Sequence, residues 1–401
     1  MKTPLLPLLL GLSPLLAPAQ PLPPEANAVV AANTAFALNL YSDLRSADGN
    51  LFFSPYSIST ALAMTCAGAR GETAGQMARV LQLPQIPAAG LHAAFGTLRD
   101  RINSVPGGSV RLTVANALWP QKGYPFLKDY LSLLKKDYGA AVVPLDFRTA
   151  PAAAARTINQ WVVEQTQGRI ANLVSPDSLD AQTRLLLVNA IYFLGDWASP
   201  FKAMSTSSDT FHGPDNREIN CRMMNQTATF AYAETPELQV AELPYKGNDV
   251  SMVILLPRAT DGIGALEGGL SPEKLARWIS SLREQRIDVE LPRFTQTGTL
   301  SLADLLKRMG MDLAFGPQAD FSGMDGHTAS LRISAVLHKA YVRVDEKGTE
   351  AAAATAVVMT LAAIMESPCP VFRADHPFLF LIRQKSTGSI LFMGRVVEPK
   401  V

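Results

Sequence analysis

The stretch from Thr183 to Gly195, TRLLLVNAIYFLG, constrains the fold of this 401-residue chain more than any other stretch. It is nearly continuous in apolar, β-favouring residues, whereas a strand with one face in water alternates apolar and polar residues. The run therefore predicts a central strand that is buried on both faces. The composition can supply the covering layers, because 48% of the residues are hydrophobic and 18% are charged. We expect a large globular fold around a covered sheet.

The other patterns place helices mainly in the first half of the chain and strands mainly in the second. Helical spacing runs from Glu25 to Leu44, and strand-like runs recur from Asp209 to Arg293. Further helices are predicted in FLKDYLSLLKKDYG, AAAARTINQWVVEQTQG, PEKLARWISSLREQ and LSLADLLKRMG. No repeat and no long linker divides the sequence. This order predicts an α+β fold in one large domain.

Residues 1–19 have the pattern of a secretory signal. A lysine precedes a leucine-rich run, and Ala17-Pro18-Ala19 offers the small side chains that a signal peptidase requires. We predict cleavage after Ala19. The mature domain, residues 20–401, is then expected to be secreted, to the periplasm or to the extracellular medium.

The charge of the chain gives no strong electrostatic field. The formal net charge is +1 at pH 7, so neither nucleic acids nor membrane surfaces are favoured as partners. Outside the leader, no stretch reaches the roughly 20 apolar residues that a membrane-spanning helix needs. The sequence shows no sign of oligomer formation, and we predict a monomer.

Three cysteines are present, Cys66, Cys221 and Cys369. Their odd number leaves at least one of them unpaired, and their spacing matches no metal site. A chain with this much apolar core does not depend on a disulfide framework. We interpret Cys66 and Cys221 as small buried residues and expect Cys369 to be more exposed.

The sequence carries no recognisable catalytic motif. Its five histidines form no HExxH pair, and no GxSxG, P-loop or dinucleotide-binding pattern occurs. The members of a Ser-His-Asp triad lie far apart in sequence, so a hydrolase stays open as an interpretation that no motif supports. We predict a protein that is not an enzyme and that needs neither a cofactor nor a metal.

The segment from Glu346 to Pro368, EKGTEAAAATAVVMTLAAIMESP, is the second unusual feature. Its fifteen residues from Ala351 to Met365 carry no charge, yet they are too few to cross a membrane. The alanines favour a helix, whereas the β-branched residues favour a strand. Composition alone leaves both conformations open.

Four motifs, in order along the chain, resemble the serpin family. NLFFSPYSISTALAMTCAGARGET is similar to the early strand-turn-helix motif of serpins, and VNAIYFLGDWASPF resembles their central strand and the tryptophan that follows it. LHKAYVRVDEKGTEAAAAT resembles the strand and hinge before the reactive loop. HPFLFLIRQKSTGSILFMGRVVEP is similar to the C-terminal signature. The resemblance covers essentially the whole mature length.

The resemblance implies three β-sheets, about nine helices and an exposed reactive-centre loop, here at about residues 346–371. It also implies a function, because serpins trap serine proteases, and sometimes cysteine proteases, as covalent acyl-enzymes. The protease attacks one bond of the loop, and the cleaved loop inserts into the main sheet as an extra strand. The uncharged segment suits both environments, since an unpaired charge is very costly inside a sheet.

The hinge of the loop is expected to enter the sheet first, and its residues are small. Gly348 has a permissive backbone, and strand alternation directs Thr349 and every second residue after it inward. Glu350 then faces solvent. The hinge residues implied by the resemblance are Glu346, Gly348, Thr349, Glu350, Ala351, Ala352, Ala353, Ala354 and Thr355.

Two further groups follow from the resemblance. The positions that match the polar cluster at which the sheet opens are Ser54, Ser57, Asn189 and His338. At the top of the sheet, serpins pair an acidic residue before the hinge with a basic residue after an LP dipeptide, and the matching residues are Glu346 and Arg293, near Trp197. The alternative for the first group is that its members are only hydrogen-bonded polar residues of the core. The alternative for the second is an incidental ion pair on the surface.

The spacing usual in the family places the bond that the protease attacks between Ala362 and Ala363. A small side chain there suits elastase-like or subtilisin-like proteases. The segment from Gly348 to Pro377 is, however, a few residues longer than in many serpins. Other reactive positions therefore stay open, namely Leu361, Met359 and Met365. Leu361 would favour chymotrypsin-like targets instead.

A serpin without inhibitory activity is the alternative of a different class. Such a protein acts as a carrier, a chaperone or a plain protease substrate, and many carry bulky, charged or proline residues in the hinge. This chain has Thr349 followed shortly by four alanines, a composition that favours insertion. We therefore expect an inhibitor.

Overall fold

The computed structural model describes residues 21–104, 110–175, 178–179, 183–327, 331–349 and 369–400, and the account below concerns these ranges. They contain ten α-helices: α1 (Pro24–Leu44), α2 (Pro55–Ala67), α3 (Gly71–Val80), α4 (Ala88–Asn103), α5 (Lys128–Leu133), α6 (Pro151–Gln165), α7 (Ile263–Gly268), α8 (Pro272–Ser281), α9 (Ala303–Arg308) and α10 (Ser322–Asp325). A π-helical turn, Leu134–Tyr138, continues α5 and ends at Gly139, whose φ of 61° is left-handed. Three 3-10 turns lie at Ala203–Ser205, Pro214–Asn216 and Leu313–Phe315.

The same ranges contain fifteen strands. They are β1 (Leu51–Phe53), β2 (Val110–Pro120), β3 (Ala141–Val142), β4 (Leu185–Asp196), β5 (Ser207–His212), β6 (Glu218–Glu234), β7 (Leu238–Pro244), β8 (Val250–Pro257), β9 (Arg283–Pro292), β10 (Phe294–Ser301), β11 (Ala335–Asp345), β12 (Gly348–Thr349), β13 (Val371–Arg373), β14 (Phe378–Gln384) and β15 (Ile390–Val396). One network of nine strands has the order β1-β15-β14-β8-β7-β6-β9-β13, with β5 also on β6. The other network has the order β10-β11-β12-β4-β2-β3.

The long strand β6 joins two parts of the nine-stranded network. Its first residues pair with β5, and most of its length pairs with β9. Only Ala231–Glu234 pair with β7, through which the network continues to β8, β14 and β15. With the six-stranded sheet, these two parts make three sheet regions, the number that the serpin resemblance implies.

Both faces of β4 are covered, as its apolar sequence predicts. One face packs into the core between the two networks, which contains Ile191 and Phe193 together with Phe380. The other face, with Val188 and Ala190, packs under α6. Burial of apolar surface stabilises a fold by roughly 25 cal/mol per Å², so covering both faces of β4 contributes to stability on each side of the sheet.

Two predicted helices end or begin elsewhere in the structure. The helix predicted in PEKLARWISSLREQ ends at Ser281, because Arg283 already pairs with Tyr232 as the first residue of β9. The helix predicted in LSLADLLKRMG begins only at Ala303, since Leu300 and Ser301 pair with β11. In both places strand pairing overrides local helix propensity.

Candidate functional site: the junction of β4 and β11

The site lies where the two central strands of the six-stranded sheet meet. From Ala335–Leu186 to Tyr341–Tyr192, β11 and β4 pair directly and in parallel. Above this stretch β12 lies between them and is antiparallel to both. The sheet is therefore closed along its lower part, and Gly348 and Thr349 of the predicted hinge occupy its upper end.

Gly348 fits this position because it has no side chain. Its φ of +154° is rare for other residues, and a Cβ atom would lie 2.1 Å from the carbonyl oxygen of Gly195. It pairs with Asp345 on one side and with Asp196 on the other. A substitution here would require backbone movement in β4.

Thr349 is fully buried at the end of β12. Its hydroxyl lies 2.7 Å from the hydroxyl of Tyr245, which is also fully buried. The Tyr245 ring stacks on Trp197 with a centroid distance of 4.5 Å. Trp197 in turn donates its indole N–H to the carbonyl oxygen of Asp345, at 3.0 Å.

Glu346 and Arg293 form an ion pair at the top of the sheet, near Trp197. Arg293 Nε donates to Glu346 Oε1 at 2.7 Å, Nη2 donates to the same atom, and Thr206 donates its hydroxyl to it at 2.5 Å. Burial acts to raise the pKa of the Glu346 carboxyl, but these hydrogen bonds and the Arg293 charge outweigh burial, so its pKa lies below the ordinary value. The carboxylate is 9% exposed and Arg293 30%, which distinguishes the pair from an ordinary surface salt bridge.

The four polar residues predicted at the sheet opening lie together under the β4–β11 junction. Asn189 and His338 are opposite each other in the register, and Ser54 and Ser57 begin helix α2 beneath them. Ser54 caps that helix by accepting the Ser57 backbone N–H at 3.2 Å, and it donates its hydroxyl to the carbonyl oxygen of Leu391 at 2.5 Å. All four polar residues are at most 1% exposed.

The hydrogen bonds of this cluster define the state of His338. The Ser54 backbone N–H donates to His338 Nε2 at 3.1 Å, so the ring proton is on Nδ1 and is donated to Asn189 Oδ1. The Asn189 amide donates to Ser57 Oγ and to Asn116 Oδ1. Burial lowers the pKa of the imidazole to about 3, so His338 is neutral at physiological pH.

Sequence reasoning missed two residues of the site. Asn116, on β2, completes the polar cluster opposite Asn189. It is a polar residue within the apolar run VRLTVANALW, and that interruption is the available signal. Tyr245 follows β7 in the other network, 104 residues before Thr349 in sequence, and no local pattern points to it.

Several predicted residues lie outside the described residues. These are Glu350, Ala351, Ala352, Ala353, Ala354 and Thr355 of the hinge, the bond between Ala362 and Ala363, and the alternatives Leu361, Met359 and Met365. Their roles stay predictions, as does the leader at residues 1–19.

The three cysteines are free thiols. Burial raises the pKa of Cys221, which is buried, and of Cys66, which is only partly buried, to about 11 each. Cys369 is also partly exposed. Within the described ranges, no group of three His, Cys, Asp or Glu side chains is arranged to hold a metal ion. None of the helices in these ranges combines the length and apolar character that crossing a bilayer requires.

Comparison with known proteins identifies the family. The family model described as "Serpin (serine protease inhibitor)" matches residues 31–399. The chain is a serpin. The resemblance in the four motifs is thereby confirmed, and the family is described as one of protease inhibitors rather than of enzymes.

Curated relatives cover this serpin over nearly its whole length. An uncharacterized serpin-like protein of Thermococcus kodakarensis is 44% identical over 93% of this chain and 86% of its own. Serpin B3 of Homo sapiens is 40% identical over 93% of this chain and 100% of its own. The human leukocyte elastase inhibitor is 42% identical over 92% and 98%, respectively.

Solved structures confirm the serpin fold. Uncleaved ovalbumin superimposes with a TM-score of 0.84 at 33% identity, covering 93% of this serpin and all of ovalbumin. Human thyroxine-binding globulin, solved in complex with thyroxine, superimposes with a TM-score of 0.85 at 30% identity, covering 94% of this serpin and all of that chain.

Proposed function

We propose that this serpin is a secreted suicide-substrate inhibitor of serine proteases. The observation that carries the proposal is the position of Gly348 and Thr349 between β11 and β4. A loop that joins the sheet at this point can continue between the same two strands after cleavage. The family description and the elastase-inhibitor relatives support the same class of function.

The register of β12 defines the path of such an insertion. Thr349 pairs with Val344 and Gly195, and each later residue of an antiparallel strand would pair one position farther down β11 and β4. Residue 355 would therefore lie between His338 and Asn189. After such an insertion Thr355 would take that position and could hydrogen-bond there, whereas the alanines before it would pass the junction with little side-chain volume.

Insertion must separate the parallel pairs that now close the sheet, and the polar cluster lies at their centre. Its hydrogen bonds link both strands to helix α2, so they oppose separation until the new strand replaces them. The uncleaved protein is then kinetically trapped above its most stable state. Cleavage removes the restraint at one end of the loop and allows insertion.

Trapping follows from the acyl-enzyme bond to the moving loop. The protease is carried along with the loop while it is still covalently attached. A displacement of its catalytic groups by about 1 Å can reduce the deacylation rate on the order of 10²-fold. Loss of oxyanion-hole contacts adds a similar factor, so the complex persists.

The reactive bond proposed for this serpin is Ala362–Ala363, and the proposed targets are elastase-like or subtilisin-like proteases with shallow pockets. The name of the leukocyte elastase inhibitor, a relative at 42% identity, supports the elastase class. Export by the N-terminal leader would bring the inhibitor to such proteases outside the cytoplasm.

A carrier function is the second candidate, because thyroxine-binding globulin is a structural neighbour that binds thyroxine. The position of Gly348 and Thr349 in the sheet, and the small side chains of the hinge sequence, favour inhibition over a carrier function.

The proposed inhibition is tested by incubation with pancreatic elastase, subtilisin and chymotrypsin, followed by denaturing gel electrophoresis and mass spectrometry of the released C-terminal peptide. We expect an SDS-stable complex and a peptide that begins at Ala363. Cleavage without complex for every protease, and without a rise in thermal stability, would contradict the proposal.

A further inference from the structure

We infer that Tyr245 is a positioning residue for the hinge: its hydroxyl holds Thr349 inside the sheet and thereby biases the cleaved loop towards insertion rather than release. This inference rests on the proposed inhibitory function and assigns one part of it to a residue outside the loop and outside the six-stranded sheet. Tyr245 directly follows β7 of the nine-stranded network and forms an isolated antiparallel bridge with Trp197.

The contact between the two hydroxyls is short and dry. They are 2.7 Å apart, and both residues have no exposed surface. In the part of the chain that the structure describes, Thr349 is the hydrogen-bond partner of the Tyr245 hydroxyl. Withdrawal of the hinge would leave that hydroxyl buried without this partner, which is unfavourable.

The local structure leaves room for this contact. Gly195 pairs with Thr349, and a Cβ atom on Gly195 would lie 2.9 Å from the rings of both Phe193 and Tyr245. The absence of a side chain at this position therefore allows the Tyr245 ring to reach under the hinge. Any larger residue at 195 would displace the ring or the strand.

The Tyr245 ring is also fixed from its other sides. It stacks on Trp197 with an interplanar angle of 11° and meets the edge of Phe193 at a centroid distance of 4.9 Å. Its backbone N–H donates to the carbonyl oxygen of Val250 at 2.9 Å. A rigid ring presents its hydroxyl at one point, so little conformational entropy is lost when Thr349 arrives.

The bond matters for inhibition because insertion competes with deacylation. A hinge that already occupies its position between β11 and β4 has passed the initiation step before the protease arrives. Weakening the hold on Thr349 lowers the population of this state. A larger share of encounters then ends with hydrolysis of the acyl-enzyme and release of active protease.

The experiment is a double-mutant cycle on the full chain. Y245F and T349V each remove one hydroxyl and leave the other buried and unpaired, whereas Y245F/T349V removes both and leaves an apolar contact of nearly the same shape. For each single variant we expect the ratio of cleaved inhibitor to covalent complex to rise about fivefold. This is the change in an equilibrium constant that corresponds to the loss of one buried hydrogen bond. We expect the double variant to return towards the wild-type ratio.

Two control variants separate positioning from general damage. T349S keeps the hydroxyl and should retain the wild-type ratio. Y130F removes another buried tyrosine hydroxyl, which donates to the carbonyl oxygen of Met64 at 3.1 Å far from the hinge in sequence, and should also retain it. Unchanged ratios in both single variants, or a double variant that is worse than either, would overturn the inference.

Urea unfolding of the same four proteins of the cycle separates this inference from the proposed function. The coupling between the two hydroxyls should shift the unfolding equilibrium constant about fivefold, whether or not any protease is trapped. Complex formation without this coupling would overturn the positioning role and leave the inhibitory function standing. Coupling without complexes from any protease would overturn the inhibitory function and, with it, the role of Tyr245 in inhibition.

Discussion

The His338 imidazole on β11 is hydrogen-bonded to the Asn189 side chain on β4, across the pair of parallel strands that an inserting loop would separate. The ring also accepts the N–H of Ser54 at the start of α2. The neutral ring satisfies both partners, but a second proton on Nε2 would face a donor. The closed sheet therefore depends on His338 remaining neutral.

Acidification should destabilise the closed sheet through His338. Its pKa is about 3 in the folded protein and about 6.5 when solvated, so the unfolded or opened state binds the additional proton. Stability is fully present above pH 6.5 and is lost as the pH falls towards 3, by at most about 1.4 kcal/mol per pH unit. We expect a H338Q variant to show a smaller fall of Tm between pH 7.5 and 5 than the wild type.

The matched control for this prediction is H212Q, which replaces an exposed histidine on β5. It should leave the dependence of Tm on pH unchanged. A H338Q protein with the same slope as the wild type would show that other groups control acid sensitivity.

Replacing Gly348 with alanine should force the hinge out of the sheet. The new Cβ atom would lie 2.1 Å from the Gly195 carbonyl oxygen, a distance that only backbone movement can relieve. We expect faster cleavage of the loop by a non-target protease and less complex with a target. G90A is the control, because Gly90 lies in α4 with nothing within 4 Å of its Cβ position, and alanine there should be neutral or stabilise the protein by up to about 1 kcal/mol.

A T349R variant should fold but act as a protease substrate. Arginine cannot occupy a fully buried site beside Tyr245 without a counter-ion, so the charged hinge stays in solvent. Gel electrophoresis should show cleaved protein in place of the covalent complex. T299R, at an exposed position of β10, should form complexes normally, and complexes at wild-type stoichiometry in T349R would refute the insertion path.

Removing the charge of Arg293 should destabilise the top of the sheet. In R293M the carboxylate of Glu346 stays largely buried and keeps only the Thr206 hydroxyl as a side-chain donor, which should cost about 2 kcal/mol in the free energy of unfolding. The double variant R293M/E346Q carries no unpaired charge and should recover much of this loss. Urea unfolding at pH 7 measures both. Equal stability of R293M and the wild type would mean that the ion pair contributes little.

The sequence predicts the parts of this fold that follow from local pattern. The nearly continuous apolar run Leu185–Phe193 leads directly to a strand covered on both faces, and the positions of Ser54 and Ser57 before a helical run place them at the start of α2. What it does not predict is which distant residues meet. Asn116 joins the polar cluster only through the antiparallel register of β2 and β4.

The position of the hinge in the uncleaved protein is a further feature that no sequence pattern reveals. Whether Gly348 and Thr349 lie in solvent or in the sheet depends on a balance between strand pairing and the freedom of the loop. Tyr245, which follows β7 of the other network, contributes to that balance. Such a balance is a property of the whole fold, so composition left helix and strand open in the segment that follows.

The register of β12 also bears on how the loop of this serpin can evolve. Thr349 faces the core, so positions at even distances from it along the loop are potential core positions, and those between are not. Under the proposed insertion, a substitution at a core-facing position must suit both the protease that binds the exposed loop and the hydrophobic interior that covers the inserted strand. Divergence in target preference should therefore accumulate first on the alternate positions, with a period of two along the loop.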